Sequence, residues 1–199
     1  MQKKTKTRLS ISLFGLLMII PLFLTHSYLS LAALAAAFIH ELAHIAVARA
    51  VGVELSRLRL DIFGASLMMS GELSSYKKEA AVAIAGPLSN LLLFALLLPF
   101  SSEENEYLAL FMGASLFLGL LNLLPIKDLD GGRVLFCTLA SRFSLDTAQT
   151  VLRVLSFLTI FSLWSLSVYL ILRLGASLSL FVFSSALFCK TFLSGSEGF

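Results

Sequence analysis

Apolar runs of about twenty residues, separated by short polar connections, occupy most of the chain. A helix rising 1.5 Å per residue needs about 20 apolar residues to cross a bilayer core. On that rule six spans are predicted, over 9–24, 29–51, 79–100, 107–126, 148–172 and 176–192. One connection has a different period. In LSRLRLDIFG (55–64), Leu58, Leu60 and Ile62 alternate with Arg57, Arg59 and Asp61, the period-2 pattern of a half-buried strand. Phe63-Gly64-Ala65 can turn and SLMMSGEL can return as a second strand. The expected fold is an all-α membrane protein, a six-transmembrane-helix bundle with a small β-hairpin at the membrane face after the second helix. Residues 127–147 are read as a connection, and the chain as a single domain over 1–199 with its core in 29–135.

Composition agrees with this patterning. Of 199 residues, 58% are hydrophobic and 14% charged, where a soluble domain has about 25% charged residues. The mean hydropathy is +0.92. The net charge of +3 comes from positives that flank spans, so it points to a membrane interface and away from a nucleic-acid partner. With the N-terminus in the cytoplasm, fourteen of the fifteen lysines and arginines fall on or near that side, and only Arg173 lies outside. The positive-inside rule favours that orientation, with both termini cytoplasmic. The first span could instead be a signal peptide, since KKTKTR precedes it; the second helix enters from outside in either case. His26 is read as an interfacial residue. Cys137 and Cys189 lack paired spacing and are read as small core hydrophobes.

Against this background FIHELAHIAVAR (38–49) stands out, because ionisable groups at bilayer depth cost roughly 2.5–3.5 kcal/mol each and usually serve a function. His40 and His44 are four apart and share one helix face, so both imidazoles can aim at one metal ion. Glu41 lies about 100° around the helix, where its carboxylate can reach the water that such a metal activates. That is the arrangement of HExxH: two nitrogen ligands for zinc and one general base. A catalytic zinc takes a third protein ligand. In NLLPIKDLDGGRVL (122–135) both Asp128 and Asp130 are candidates. Pro125 breaks the preceding helix, and Gly131-Gly132 let the backbone turn and approach closely.

His40-Glu41-Leu42-Ala43-His44, Gly86-Pro87-Leu88-Ser89-Asn90, and Asn122-Leu123-Leu124-Pro125 followed by Leu129-Asp130-Gly131-Gly132-Arg133 resemble the three signature segments of site-2 intramembrane metalloproteases. The chain is similar in particular to the small bacterial stage IV sporulation protein FB type. The resemblance covers about residues 30–135. It implies a bacterial cytoplasmic membrane, one zinc per chain with Asp130 as third ligand, and a site recessed from the cytoplasm. It also implies that the hairpin edge, through Leu58, Leu60 and Ile62, pairs with an unwound substrate, and that Asn122 holds substrate backbone or the oxyanion. A structural role for Asn122 beside Pro125 stays open. Gly86, Pro87 and Asn90 resemble a packing and kink element.

Two departures from the family pattern matter. Lys127-Asp128 stands where relatives often have apolar residues or proline, and Asp128 could pair with Lys127 or Arg133 or compete as a ligand. No CBS or PDZ domain is expected. The expected function is zinc-dependent hydrolysis of peptide bonds in or beside transmembrane segments of other proteins. A transcription-factor precursor, an anti-sigma factor or remnant signal peptides would suit as substrate, and a membrane partner could regulate access. The alternatives are an inactive scaffold of the same fold and a zinc transporter or channel.

Overall fold

The structure, a computed structural model, describes residues 8–11, 28–52, 55–61, 64–69, 75–101, 105–175 and 178–193. The chain divides into two compact units, Met1–Leu123 and Leu124–Phe199. Across both, three helices are long and apolar enough to cross a membrane, and two shorter helices are also apolar.

In the first unit, α1 (Tyr28–Ala50) buries Ala32, Ala36, His40, His44 and Ala48, one residue every fourth position. Large apolar side chains point the other way, among them Leu31, Phe38 and Leu42. Small and polar inside with large and apolar outside reverses the pattern of a water-soluble helix. It suits a helix solvated by lipid, where small residues let neighbouring backbones approach. Helix α2 (Tyr76–Leu97, extended by a 3-10 turn over Leu98–Phe100) presents Val82, Gly86 and Asn90 at the same four-residue spacing. Helix α3 (Glu106–Asn122) buries Met112, Ser115, Gly119 and Asn122. A Cβ at Gly119 would come within 3.2 Å of the Pro87 carbonyl oxygen, so the absent side chain sets how closely α3 packs on α2.

The same unit holds a three-stranded sheet in the order β1-β2-β3, built from β1 (Arg8–Ile11), β2 (Leu55–Asp61) and β3 (Gly64–Met69). β2 and β3 are antiparallel, with Leu58 opposite Leu67 and Leu60 opposite Ala65 and a register shift between Leu55 and Arg57. β1 pairs in parallel with β2, Leu9 opposite Leu58. A helix predicted from residue 9 therefore does not begin there: residues 9–11 are extended. The rest of that predicted span, 12–24, and His26 lie outside the described residues. Ile62 does as well.

In the second unit, α4 (Asp130–Ala140) and α6 (Ser179–Phe188, continued by a π turn over Cys189–Leu193) both pack on α5 (Leu145–Leu174). Thirty residues make α5 about 45 Å long. Ser144 caps it by accepting from the Thr147 N–H, and Gly175 closes it at φ 61°, a left-handed conformation that glycine adopts without strain.

Three expectations need correction here. The fourth apolar run stops being helical at Asn122, four residues short of 126, because Pro125 can neither donate its hydrogen bond nor let the preceding residue stay helical. The stretch read as a connection contains α4. Gly131 and Gly132 sit in its first turn and do not reverse the chain; the missing Cβ of Gly132 serves close approach. Cys137 is buried, but Cys189 is exposed and is not a core residue.

Candidate metal centre

His40 and His44 are both buried, with ring centroids 4.7 Å apart and planes at 78°. The antiparallel face of α2 meets them rung by rung. His44 Nδ1 lies 2.7 Å from the backbone carbonyl oxygen of Val82. A carbonyl oxygen only accepts, and its second lone pair is available beyond the helical bond, so Nδ1 carries the proton and donates. Nε2 of His44 then keeps its lone pair. One turn along, His40 Nδ1 lies 3.2 Å from the amide nitrogen of Asn90. Between these rungs is Gly86, and a Cβ there would collide with the Nε2 atoms of both histidines. The two Nε2 atoms thus converge over a bare Cα.

Local sequence explains this arrangement. Pro87 has no N–H for the carbonyl of Ala83, and Ser89 Oγ donates to the Gly86 carbonyl at 2.7 Å. Below the rungs, Val82 packs on Ala48, with Val47 and Val51 beside them, which holds the helix pair in register. Glu41 is half-buried and its Oε2 atom is buried. Two buried imidazoles whose Nε2 atoms converge could serve zinc as a donor pair, and for His44 the bond from Nδ1 to a carbonyl sets the tautomer that coordinates through Nε2.

Asp130 is held by a separate device in the second unit. It opens α4, where the helix dipole favours a carboxylate, directly after Leu129 in extended conformation. The loop before it is tightly wound, with Ile126 N–H bonded to the Leu124 carbonyl and Leu129 N–H to the Ile126 carbonyl. Buried Ser156 of α5 accepts from Lys127 N–H at 2.9 Å and donates to the Pro125 carbonyl at 3.4 Å. Gly132 is pressed so closely on Ile126 that a Cβ would overlap its carbonyl. Asp128 is engaged elsewhere. Thr191 Oγ1 donates to its Oδ2 at 2.7 Å, and Lys190 Nζ lies 3.7 Å from its Oδ1. Lys190 and Thr191 were not anticipated as its partners; only the fold brings residues 63 positions apart together.

The remaining candidates are placed as follows. Asn122 is buried at the end of α3, its amide donating to the Leu118 carbonyl at 3.0 Å. Leu58 and Leu60 lie on the central strand. Val82 in the first unit holds His44, and Ser156 in the second holds the loop before Asp130, without either having been singled out. Val82 acts through its carbonyl, which no side-chain motif reports, although its spacing of four from Gly86 and eight from Asn90 was a usable signal.

Stage IV sporulation protein FB of Bacillus subtilis is 35% identical over 115 residues, covering 56% of this chain and 40% of that protein. A zinc metalloprotease of Methanocaldococcus jannaschii is 31% identical over 159 residues, covering 74% of this chain and 45% of the relative. Rip3 of Mycobacterium tuberculosis is 36% identical over 110 residues, covering 51% and 28%. The chain spans 27% to 45% of the length of the curated relatives it matches. The solved site-2 protease of Methanocaldococcus jannaschii shares the fold, with a TM-score of 0.66 at 20% identity over 100% of this chain and 95% of that one. Residues 11–187 match the family model described as peptidase M50B-like, and the chain belongs to that family.

Proposed function

We propose that this chain is an intramembrane zinc metalloprotease that hydrolyses peptide bonds in or beside transmembrane segments of other membrane proteins. The observation that carries the reading is the convergence of both Nε2 atoms over Gly86, with His44 Nδ1 committed to the Val82 carbonyl. The proposed zinc ligands are His40, His44 and Asp130, for one ion per chain. Asp130 stands in this set as the family resemblance implies, and Asp128 is held by Thr191 and Lys190.

Bound zinc supplies Lewis acidity toward a carbonyl and lowers the pKa of water at the site. Glu41 accepts the proton of the attacking water and delivers it to the amine nitrogen as the C–N bond breaks. The substrate must unwind first, because a helical carbonyl is tied up in its i→i−4 bond. Strand addition to the sheet would replace those bonds. Both sides of β2 are already paired, so an added strand uses the outer edge of β1 or β3. This corrects the simple expectation of pairing through Leu58 and Leu60 themselves. Asn122 holding substrate backbone belongs to the same proposal, as do six spans and cytoplasmic termini. Substrates of the anti-sigma or transcription-factor-precursor kind, and a regulatory membrane partner, belong to the proposal through the sequence resemblance alone.

The test is Glu41→Gln in detergent-purified protein, with zinc measured by elemental analysis and turnover on a transmembrane peptide. Removing a general base costs about 10²- to 10⁴-fold in rate, while zinc should stay at the wild-type level. Unchanged cleavage would remove Glu41 from the mechanism. A wild type that takes up no zinc would end the metalloprotease reading and favour a scaffold.

A further inference from the structure

Asn90 is fully buried, with 0% exposure, on the α2 face that carries Gly86. Its amide nitrogen faces His40 Nδ1 at 3.2 Å. Its other end, Oδ1, is buried with no hydrogen-bond partner among the described residues. In that orientation the amide donates, Nδ1 of His40 must hold a lone pair, and a neutral ring carries its proton on Nε2, the atom that converges over Gly86. Such a tautomer cannot coordinate a metal through Nε2.

The two ends of a carboxamide have nearly the same shape, so a half-turn about the Cβ–Cγ bond leaves the side chain in the same volume. The half-turn resolves both problems at once. Oδ1 then accepts from Nδ1–H, the orphaned acceptor gains its bond, and Nε2 of His40 carries a lone pair in place of a proton. His44 already shows the same pattern, Nδ1 bonded to an oxygen that can only accept. With the rotated amide, the two rings become chemically equivalent: each is held in the Nδ1–H tautomer by an acceptor on α2, at Val82 and at Asn90, and each turns Nε2 to the space over Gly86.

From this we infer that Asn90 is a positioning residue, which accepts a hydrogen bond from His40 Nδ1 and so fixes the tautomer that binds metal. The inference rests on the zinc reading above and adds to it a part that the packing role expected for Gly86-Pro87-Asn90 does not contain. A packing role needs only volume. A positioning role needs an acceptor.

The experiment uses the full chain, labelled with ¹⁵N-histidine and purified in detergent. In metal-free wild type, the nitrogen shifts of His40, assigned by comparison with His40→Gln, should report a proton on Nδ1. Zinc affinity, read by competition with a chelator, should fall about 10- to 100-fold in Asn90→Leu, the range for loss of a partner that orients a ligand. Asn90→Asp keeps the acceptor and should hold zinc at least as tightly as wild type. A wild-type His40 protonated on Nε2 would overturn the inference, and this measurement needs no variant to fold. So would equal zinc affinity in wild type and Asn90→Leu. A wild type that binds no zinc sinks the metalloprotease reading itself and this inference with it, an outcome distinct from zinc binding that ignores residue 90.

Discussion

The histidine seam and the aspartate loop position their candidate ligand side chains by opposite means. On α1 and α2 the donors are set by periodicity. His40, His44 and Ala48 lie at one spacing, Val82, Gly86 and Asn90 face them at the same spacing, and each rung is a contact between residues one helical turn from the next. In the loop before α4 nothing is periodic. Asp130 takes its place from a proline break, a hydroxyl on another helix and one glycine pressed against a carbonyl. A periodic seam is stiff because each rung supports the next. A loop clamp is no stiffer than its few individual bonds.

That difference orders the expected effects of substitution. The largest should come from Gly86→Ala, which puts a methyl group where two ring nitrogens converge. The helices cannot separate without also disturbing Ala48 against Val82. Overpacking of this kind costs about 1–3 kcal/mol, and it displaces both nitrogen donors together. Zinc measured by elemental analysis should be lost while the protein still purifies as a folded species; full zinc content in Gly86→Ala would mean the seam yields more readily than its packing indicates.

Next come the two carboxylates of the loop. Asp130→Ala should abolish stable zinc binding, because a catalytic zinc held by two protein ligands lacks one of its usual three. Asp128→Ala should leave zinc content unchanged and lose only its contacts to Thr191 and Lys190. For a part-exposed pair of this kind the stability change should be about 0.2–1 kcal/mol, read from thermal unfolding in detergent. The reverse pattern, zinc lost with Asp128 and kept with Asp130, would exchange their roles.

Ser156→Ala tests the clamp itself. It leaves the Lys127 N–H without its acceptor, at a cost of about 1–3 kcal/mol, which should appear as a lower unfolding midpoint. Zinc affinity should fall less than in Asp130→Ala, since the carboxylate remains. If Ser156→Ala changes neither quantity, the loop is held by Gly132 and its own turns alone.

Some of this was legible in the chain and some was not. HExxH within an apolar run states its own chemistry, because helical periodicity is local and fixes which residues share a face. The strand pattern in LSRLRLD is likewise a local signal, and the paired strands β2 and β3 lie where it occurs. The parallel pairing of Arg8–Ile11 with β2 was not legible, since it joins residues about fifty positions apart. The helix at Asp130–Ala140 was missed because two glycines were taken for a turn. Gly132 is held against Ile126, a tertiary contact that a local propensity does not contain.

Residue type and short-range spacing were therefore enough to bring out the pair of facing histidines and the membrane class. They could not settle which groups hold Asp128, what faces each imidazole's second nitrogen, or where the fourth apolar run ends its helix and the next begins. Those depend on groups brought together across 29 to 63 positions, Lys127 with Ser156, Val82 with His44, Asp128 with Thr191. A backbone carbonyl or a lone hydroxyl leaves no pattern in a sequence, and it acquires its role only when folding sets a donor or an acceptor against it.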